Sequence, residues 1–296
     1  MTTIDEDVHL EAKDIYKYFG GVKALEGASV VVSKNKLFSL IGPNGSGKTT
    51  LFNVITSWLE KTDPTKEEEE KGQLMRFLNW LLEKFTRNGG EVAKEPTQRE
   101  VGSVTFENMR IDGLSAHEAA LTGMMRTFQT TRNWPMLSVL ENLLVAPHRQ
   151  TGESFLNIFF KKKKIKEEER KNTLKALEIL EFLEITHIRD QLGEELSGGQ
   201  LKILALGRLL MTAPNLILLD EPTAGINPTL ANKIMDKILD LKVDSTIFLI
   251  EHNMDVVFNY SDEIFVMARG KIIAQGTPPE IETNRAVIEA YLGADY

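Results

Sequence analysis

Cysteine is absent from this 296-residue chain, so it holds neither a disulfide nor a thiolate metal site, and it suits a reducing compartment. An excess of positive charge is also absent. Lys and Arg total 35 against 43 for Asp and Glu, a formal net charge of −8. That balance excludes a broad surface that tracks a phosphate backbone, so nucleic acid is not an expected ligand. No apolar run approaches the ~18 residues that span a bilayer. The acidic start, Met1-Thr-Thr-Ile-Asp-Glu-Asp-Val8, lacks the apolar stretch of a signal peptide. The chain reads as cytosolic, and work at a membrane would be done by docking. Its length suffices for one large α/β domain or two small ones.

What is present is an alternation of short β-rich runs with helical patterns, the mark of βα units and a parallel sheet. Strands are expected at 10–15, 28–32, 37–41, 104–111, 216–220, 246–250, 264–268 and 271–275. The last two flank Arg269-Gly270 and read as a hairpin. No internal repeat is visible, so one nucleotide-binding unit is expected. Two segments interrupt the alternation. Residues 61–100 carry Pro64, Glu67 to Glu70, and then Leu74, Phe77, Leu78, Leu81, Leu82 and Phe85 on one helical face. Residues 130–213 are rich in helical pattern and contain Lys161 to Lys164 followed by Glu167 to Glu169. That charge block reads as a solvated helix face with Glu167–Lys171 support, ahead of a membrane-surface role for the lysines.

The apolar run at 37–41 leads straight into Gly42-Pro43-Asn44-Gly45-Ser46-Gly47-Lys48-Thr49-Thr50, which matches the P-loop pattern G-x-x-x-x-G-K-[ST]. Gly45 and Gly47 let the backbone wrap so that successive N–H groups point at phosphate oxygens. A helix that starts near Lys48 adds the positive end of its dipole. Lys48 is placed for the β- and γ-phosphates, and Thr49 is placed as a Mg²⁺ ligand. A strand before and a helical run at 51–59 after the loop are the context that nucleotide binding requires.

A second apolar run, 216–220, ends in Asp220, followed by Glu221-Pro222. A strand buried on both faces reads this way, and in a parallel sheet ligands collect at its C-terminal tip. Asp220 is therefore expected at the Mg²⁺ and Glu221 at the attacking water. His252 follows the strand at 246–250. Gln129, in Arg126-Thr-Phe-Gln129-Thr, carries an amide that can ligate Mg²⁺ or orient water. Taken alone, each of these two is also an ordinary surface residue. Ser197-Gly198-Gly199, just before a helical run at 201–211, forms a second N-terminal anion site with a hydroxyl and free N–H groups.

Leu196-Ser-Gly-Gly-Gln200, about twenty residues before the Asp220 strand, is the LSGGQ signature, and with the P-loop and Asp-Glu in this order the chain resembles the ATPases of ABC transporters. The resemblance implies a P-loop NTPase fold of class α/β: a mostly parallel core sheet, an N-terminal antiparallel β part and an inserted helical subdomain. The core would be 1–129 and 214–296, with an unusual insertion at about 61–100, and the helical subdomain 130–213. It implies that Ser197, Gly198, Gly199 and Gln200 cap ATP held by a partner's P-loop, so that ATP joins two ATPase subunits. It also implies that Phe19 stacks on adenine with Tyr18 as fallback, that Gln129 is the Q-loop residue and that His252 is the switch histidine. Residues 224–227 match the D-loop, with Asn227 where many relatives have Asp.

Within that family, Thr127-Phe-Gln-Thr, the run 138–145, the run 250–257 and Ala290-Tyr-Leu-Gly293 are most similar to ATPases of branched-chain amino acid importers. Such a chain would act at the cytoplasmic face of the membrane. Its partners would be permease subunits, a second ABC ATPase and, indirectly, an extracellular binding protein. Lipopolysaccharide-export and urea or amide systems are alternatives within the class. A soluble ABC ATPase of translation or repair is disfavoured, because those carry two cassettes or long coiled-coil arms. A GTPase is disfavoured because Asn232-Lys233-Ile-Met-Asp misses the N-K-x-D spacing.

Overall fold

The computed structural model describes residues 7–62, 102–127, 133–148, 150–153 and 155–292. Gln129, the apolar helical face at 74–85 and Gly293 lie outside the described residues. Two sheets organise the chain. The first is antiparallel and ordered β2-β1-β4-β5, from β1 (Val8–Phe19), β2 (Val22–Ser33), β4 (Ser103–Phe106) and β5 (Met109–Arg110). The second is ordered β10-β9-β3-β8-β7-β6. Its members are β3 (Leu37–Ile41), β6 (Met124–Arg126), β7 (Leu216–Asp220), β8 (Thr246–Ile250), β9 (Glu263–Ala268) and β10 (Lys271–Gly276). Every pairing in it is parallel except the β9–β10 hairpin. That hairpin turns at Arg269 and Gly270, both at positive φ, as the sequence predicts.

Two strand expectations need correction. The run at 104–111 is two strands, because Glu107 and Asn108 both take positive φ (48° and 63°) and fold the chain into a tight hairpin. A two-residue turn of that hand matches the twist of the strands it joins. β1 runs well beyond 10–15, carried past a bulge where Asp14 sits at φ 50° and its N–H donates to the Ser29 hydroxyl at 2.9 Å. The bulge breaks the alternation on which the shorter reading relied.

Helices fill both sides of the parallel sheet. They are α1 (Lys48–Ile55), α2 (Ala116–Leu121), α3 (Val139–Leu144), α4 (Phe155–Phe160), α5 (Lys162–Phe182), α6 (Gly198–Met211), α7 (Pro228–Asp240), α8 (Met254–Tyr260), α9 (Pro278–Glu282) and α10 (Arg285–Leu292). Capping boxes start several of them: Ser115 with Glu118, Ser138 with Glu141, and Ser197 with Gln200. In each, the cap hydroxyl accepts from the N3 amide and the N3 side chain returns to the cap N–H, satisfying two end groups.

β7 and β8 explain the continuous apolar runs. Leu216, Leu218, Phe248 and Ile250 face a core shared with α1 and the antiparallel sheet. Ile217, Leu219, Ile247 and Leu249 face a second core with α3, α5, α6 and α7. Both faces of these strands are thus dry, which is why no polar residue alternates. Between β6 and β7 the described chain is helical, and α3 is anchored by the fully buried Asn142. Its amide donates to the Trp134, Leu137 and Ser138 carbonyls and its oxygen accepts from Trp134 N, knotting the loop before the helix. Lys61 donates to the Gly102 carbonyl and to Asp112 at 2.7 Å, so the two described ends of the 61–100 excursion meet.

Candidate functional site

The site is built on the C-terminal ends of three adjacent parallel strands, β3, β8 and β7. From β3 the chain passes through Gly42 to Gly47 into α1. Gly47 takes φ 107°, and a Cβ there would lie 2.5 Å from the Ala24 carbonyl of β2. Gly42 takes φ 149°, and its Cβ would lie 2.0 Å from the Met267 carbonyl of β9. Gly45 has open space around it, so its φ of 76° alone demands glycine. The loop is thus moulded against both sheets, with Gly270 N donating to Ser46 O at 2.9 Å.

Lys48 is buried inside this loop, its ammonium donating to the Gly42 and Pro43 carbonyls at 2.8 and 3.1 Å. Burial lowers its pKa, and the carboxylates of Glu221 and Asp220 pull it back up. The buried hydroxyl of Ser46 has no hydrogen-bond partner among the described residues. Thr49 is exposed at the first turn of α1, and Asn44 and Gly45 are exposed on the loop.

At the tip of β7, Asp220 is buried with one oxygen paired to Arg126, Nη2 to Oδ2 at 2.8 Å. Its other oxygen, Oδ1, is buried and unpartnered among the described residues. Arg126 ends β6, and its guanidinium also donates to Asn53 of α1 and lies 5.6 Å from the Phe52 ring. Burial lowers the Arg126 pKa, opposed by the Asp220 carboxylate.

Glu221 follows with its backbone at φ 51° and its N–H tied to Ile250 O at 3.0 Å. Its carboxylate meets His252 Nε2 at 3.0 Å, so the structure brings together these two residues from separate strands. Glu251, the residue before His252, is itself buried. One of its oxygens accepts from Thr223 N at 3.1 Å and from the Thr223 hydroxyl; the other accepts from His252 N at 3.1 Å and Asn253 N at 3.4 Å. This carboxylate clamps the loop after β7 to the loop after β8.

Ser197 caps α6, accepting from Gln200 N at 3.4 Å while Gln200 Oε1 receives Ser197 N and Oγ at 2.8 Å. The helix therefore opens at Gly198, three residues before the expected 201–211. The amides of Gly198 and Gly199 lie in the first turn, where helix geometry supplies no partner. Lys202, one turn on, donates to the Glu221 carbonyl at 3.0 Å and to the Ala224 carbonyl, joining α6 to the Asp-Glu loop. Asn227 caps α7 by accepting from Leu230 N at 2.9 Å.

Phe19 lies at the far end of β1 and is half exposed, with Lys17 Nζ 5.4 Å from its ring centre. β2 reaches the loop through Ala24. The Tyr18 N–H donates to the Thr62 hydroxyl at 3.0 Å, and its ring meets Tyr16 edge to face at 6.4 Å between centres. Tyr291 of α10 meets the Gly42 backbone; burial pushes its phenol up to about 12 against the pull of that hydrogen bond.

Arg126, Lys202, Glu251 and Tyr291 were not singled out from the sequence. Arg126, Glu251 and Tyr291 stand inside quoted runs. Lys202 is next but one to Gln200 of the signature, and that proximity was the available signal. Among the described residues no group of three His, Asp or Glu is arranged to hold a metal. The donors present are hard oxygens, Asp220 Oδ1, buried and without a partner among the described residues, and Thr49 in the first turn of α1, and they fit Mg²⁺, which takes few protein ligands and fills its shell with phosphate and water.

The family model described as ABC transporter matches residues 25–224, and that described as branched-chain amino acid ATP-binding cassette transporter matches 271–296. A probable branched-chain amino acid transport ATP-binding protein of Methanocaldococcus jannaschii is 40% identical over 289 residues, 96% of this chain and 97% of that one. A high-affinity branched-chain amino acid transport ATP-binding protein of Pseudomonas aeruginosa is 33% identical, covering 96% and 97%. The crystal structure of an ABC transporter's ATP-binding cassette in its ADP conformation superposes with a TM-score of 0.72 at 39% identity, covering 97% of this chain and 99% of that one.

Proposed function

Since the chain belongs to the ATP-binding cassette ATPases of ABC transporters, we propose that it is the motor subunit of an importer for branched-chain amino acids. ATP is its substrate and hydrolysis its reaction. The names of its relatives and the match over 271–296 support the cargo class. The observation that carries the reading is the convergence of Lys48, Asp220, Glu221 and His252 at the ends of three neighbouring strands.

Phosphoryl transfer to water needs placement and charge neutralisation more than covalent chemistry. The loop from Gly42 through Pro43, Asn44, Gly45, Ser46 and Gly47 to Lys48, Thr49 and Thr50 cradles the phosphates. Lys48 exchanges its two carbonyl partners for phosphate oxygens. Glu221 polarises the attacking water, and His252, held at its carboxylate, senses the γ-phosphate. Asp220, Thr49 and Gln129 would hold Mg²⁺, which when bound neutralises charge on the phosphate oxygens.

Phe19 stacks on adenine. Ser197, Gly198, Gly199 and Gln200 close over ATP on a second ATPase subunit, and opening of that pair drives the permease. The division into a core of 1–129 and 214–296 and a helical unit of 130–213 places α3 to α6 as the part that meets the permease. No helix among the described residues is long and apolar enough to cross a membrane. In this reading the chain docks peripherally, at the cytoplasmic face, on subunits that also receive an extracellular binding protein.

The test is a mild-detergent pull-down of tagged Glu221→Gln protein with ATP and Mg²⁺. Recovery of a polytopic permease with a second ABC ATPase is expected. Recovery of ribosomes, repair proteins or no membrane protein would overturn the importer reading and leave the ATPase chemistry standing.

A further inference from the structure

α4 is turned the wrong way for a core helix. Phe155, Ile158 and Phe159 stand at i, i+3 and i+4 and form one apolar stripe, the pattern that normally faces inward. Here the stripe faces solvent: Phe155 is 74% exposed, Ile158 45% and Phe159 60%. Phe155 and Phe159 pack edge to face with ring centres 5.3 Å apart, so the stripe is a continuous surface. Phe160, at the end of the helix, is 84% exposed. Scattered single apolar residues on a surface need no explanation, but a contiguous aromatic patch marks a contact.

The neighbouring charge says what kind of contact. Lys161 to Lys164 follow immediately and all four are exposed. Lys161, Lys162 and Lys163 stand in no ion pair among the described residues, and acidic partners appear only further along α5, where Glu167 pairs with Lys171 at 3.3 Å. Three phenylalanines and an isoleucine beside four exposed lysines, with only Lys164 near an acid, Glu168, among the described residues, are the two halves of an interfacial anchor. Aromatic and aliphatic groups enter the boundary between headgroups and acyl chains, and ammonium groups stay at the anionic headgroups. A solvated helix face explains the lysines but not the outward aromatics.

We propose that residues 155–164 form a membrane-surface contact that seats in the headgroup region of an anionic bilayer. It extends the proposed membrane-side location, while the ATPase chemistry is independent of it.

The experiment is co-sedimentation of the purified full chain with vesicles of phosphatidylcholine alone or mixed with phosphatidylglycerol, at moderate salt. Wild type is expected to bind the anionic vesicles and not the neutral ones. Lys161→Ser through Lys164→Ser together should weaken that binding roughly six-hundredfold, since each of the four lysines near an anionic surface contributes about fivefold. Phe155→Ser, Phe159→Ser and Phe160→Ser together should weaken it at least about tenfold. ATP binding by both variants, expected unchanged, reports that they fold. No vesicle binding by wild type, or binding that survives the aromatic replacements, overturns the proposal. So does a photo-crosslinker at Phe159 in transporter proteoliposomes that labels protein and no lipid, which would assign the patch to a permease surface. None of these results touches the motor reading, which the pull-down tests.

Discussion

Replacing Arg126 by Met removes the cation from an ion pair whose side chains are 4% and 2% exposed. The Met side chain keeps apolar contact with Phe52 but leaves Asp220 buried with both oxygens unpartnered, because Oδ1 already lacks a partner. Stranding one member of a buried pair costs about 3–5 kcal/mol. With a denaturant slope of about 3 kcal/mol per molar urea, the unfolding midpoint of the nucleotide-free chain should fall by roughly 1–1.7 M. The double variant Arg126→Met, Asp220→Leu removes both charges, and exchange of a whole buried pair for apolar groups is often close to neutral. It should therefore recover most of the loss, giving a coupling energy of about 2 kcal/mol or more in the cycle. A single variant that loses under about 1 kcal/mol, or a double variant that loses the sum of the two singles, would refute the view that this pair holds Asp220 in place.

Glu251→Gln leaves one acceptor oxygen for the four donors that the carboxylate now serves; a stability loss of about 1–3 kcal/mol and slower hydrolysis with ATP affinity retained are expected from urea melts and steady-state kinetics. Glu221→Gln should keep ATP binding and slow hydrolysis by roughly 10²–10⁴, the worth of a positioned base, and single-turnover rates near wild type would demote it. Burial alone would raise the Asp112 pKa, but hydrogen bonds from Arg110 and Lys61 overcome it and hold the carboxyl down to about 2. Its contribution is then full above the ordinary carboxylate range and is lost as pH falls from about 4 through about 2, so the stability gap between wild type and Asp112→Asn should be constant near neutrality and close in acid. Asn227→Asp keeps the helix cap within a few tenths of a kcal/mol, so any change in ATP-driven dimerisation by that variant reports on subunit coupling rather than folding.

Much of the fold was legible wherever the physics is local. β3, β7 and β8 were read to the residue because strands dry on both faces leave continuous apolar runs between turn residues. The P-loop was legible because its glycines answer to backbone constraints visible in the motif itself. β6 was missed, since three residues are too few to carry a period, and the split of 104–111 was missed because Glu107 gives no sign of adopting a left-handed turn. At the site, the residues that bear charge or lead strands could be named. Glu251, Lys202 and Arg126 act on groups 19 to 94 positions away, and nothing in their own neighbourhood announces the partner. Only the folded sheet brings those distances to zero.

The position of β3 has a bearing on how the protein is made. It is the central strand that launches the P-loop, yet both of its sheet neighbours, β8 and β9, begin about two hundred residues later in the chain. At a synthesis rate of about 5–20 residues per second, the strand waits on the order of 10–40 seconds for anything to pair with. For that interval the growing chain displays an unpaired apolar strand and a loop with only its β2 side, at Ala24, available to mould it. Nucleotide cannot assist early folding, because the Met267 and Gly270 contacts that shape the loop have yet to emerge. Competence to bind ATP is thus among the last properties the nascent chain acquires, and a ribosome stalled anywhere before β9 releases a product with the motif but without the site.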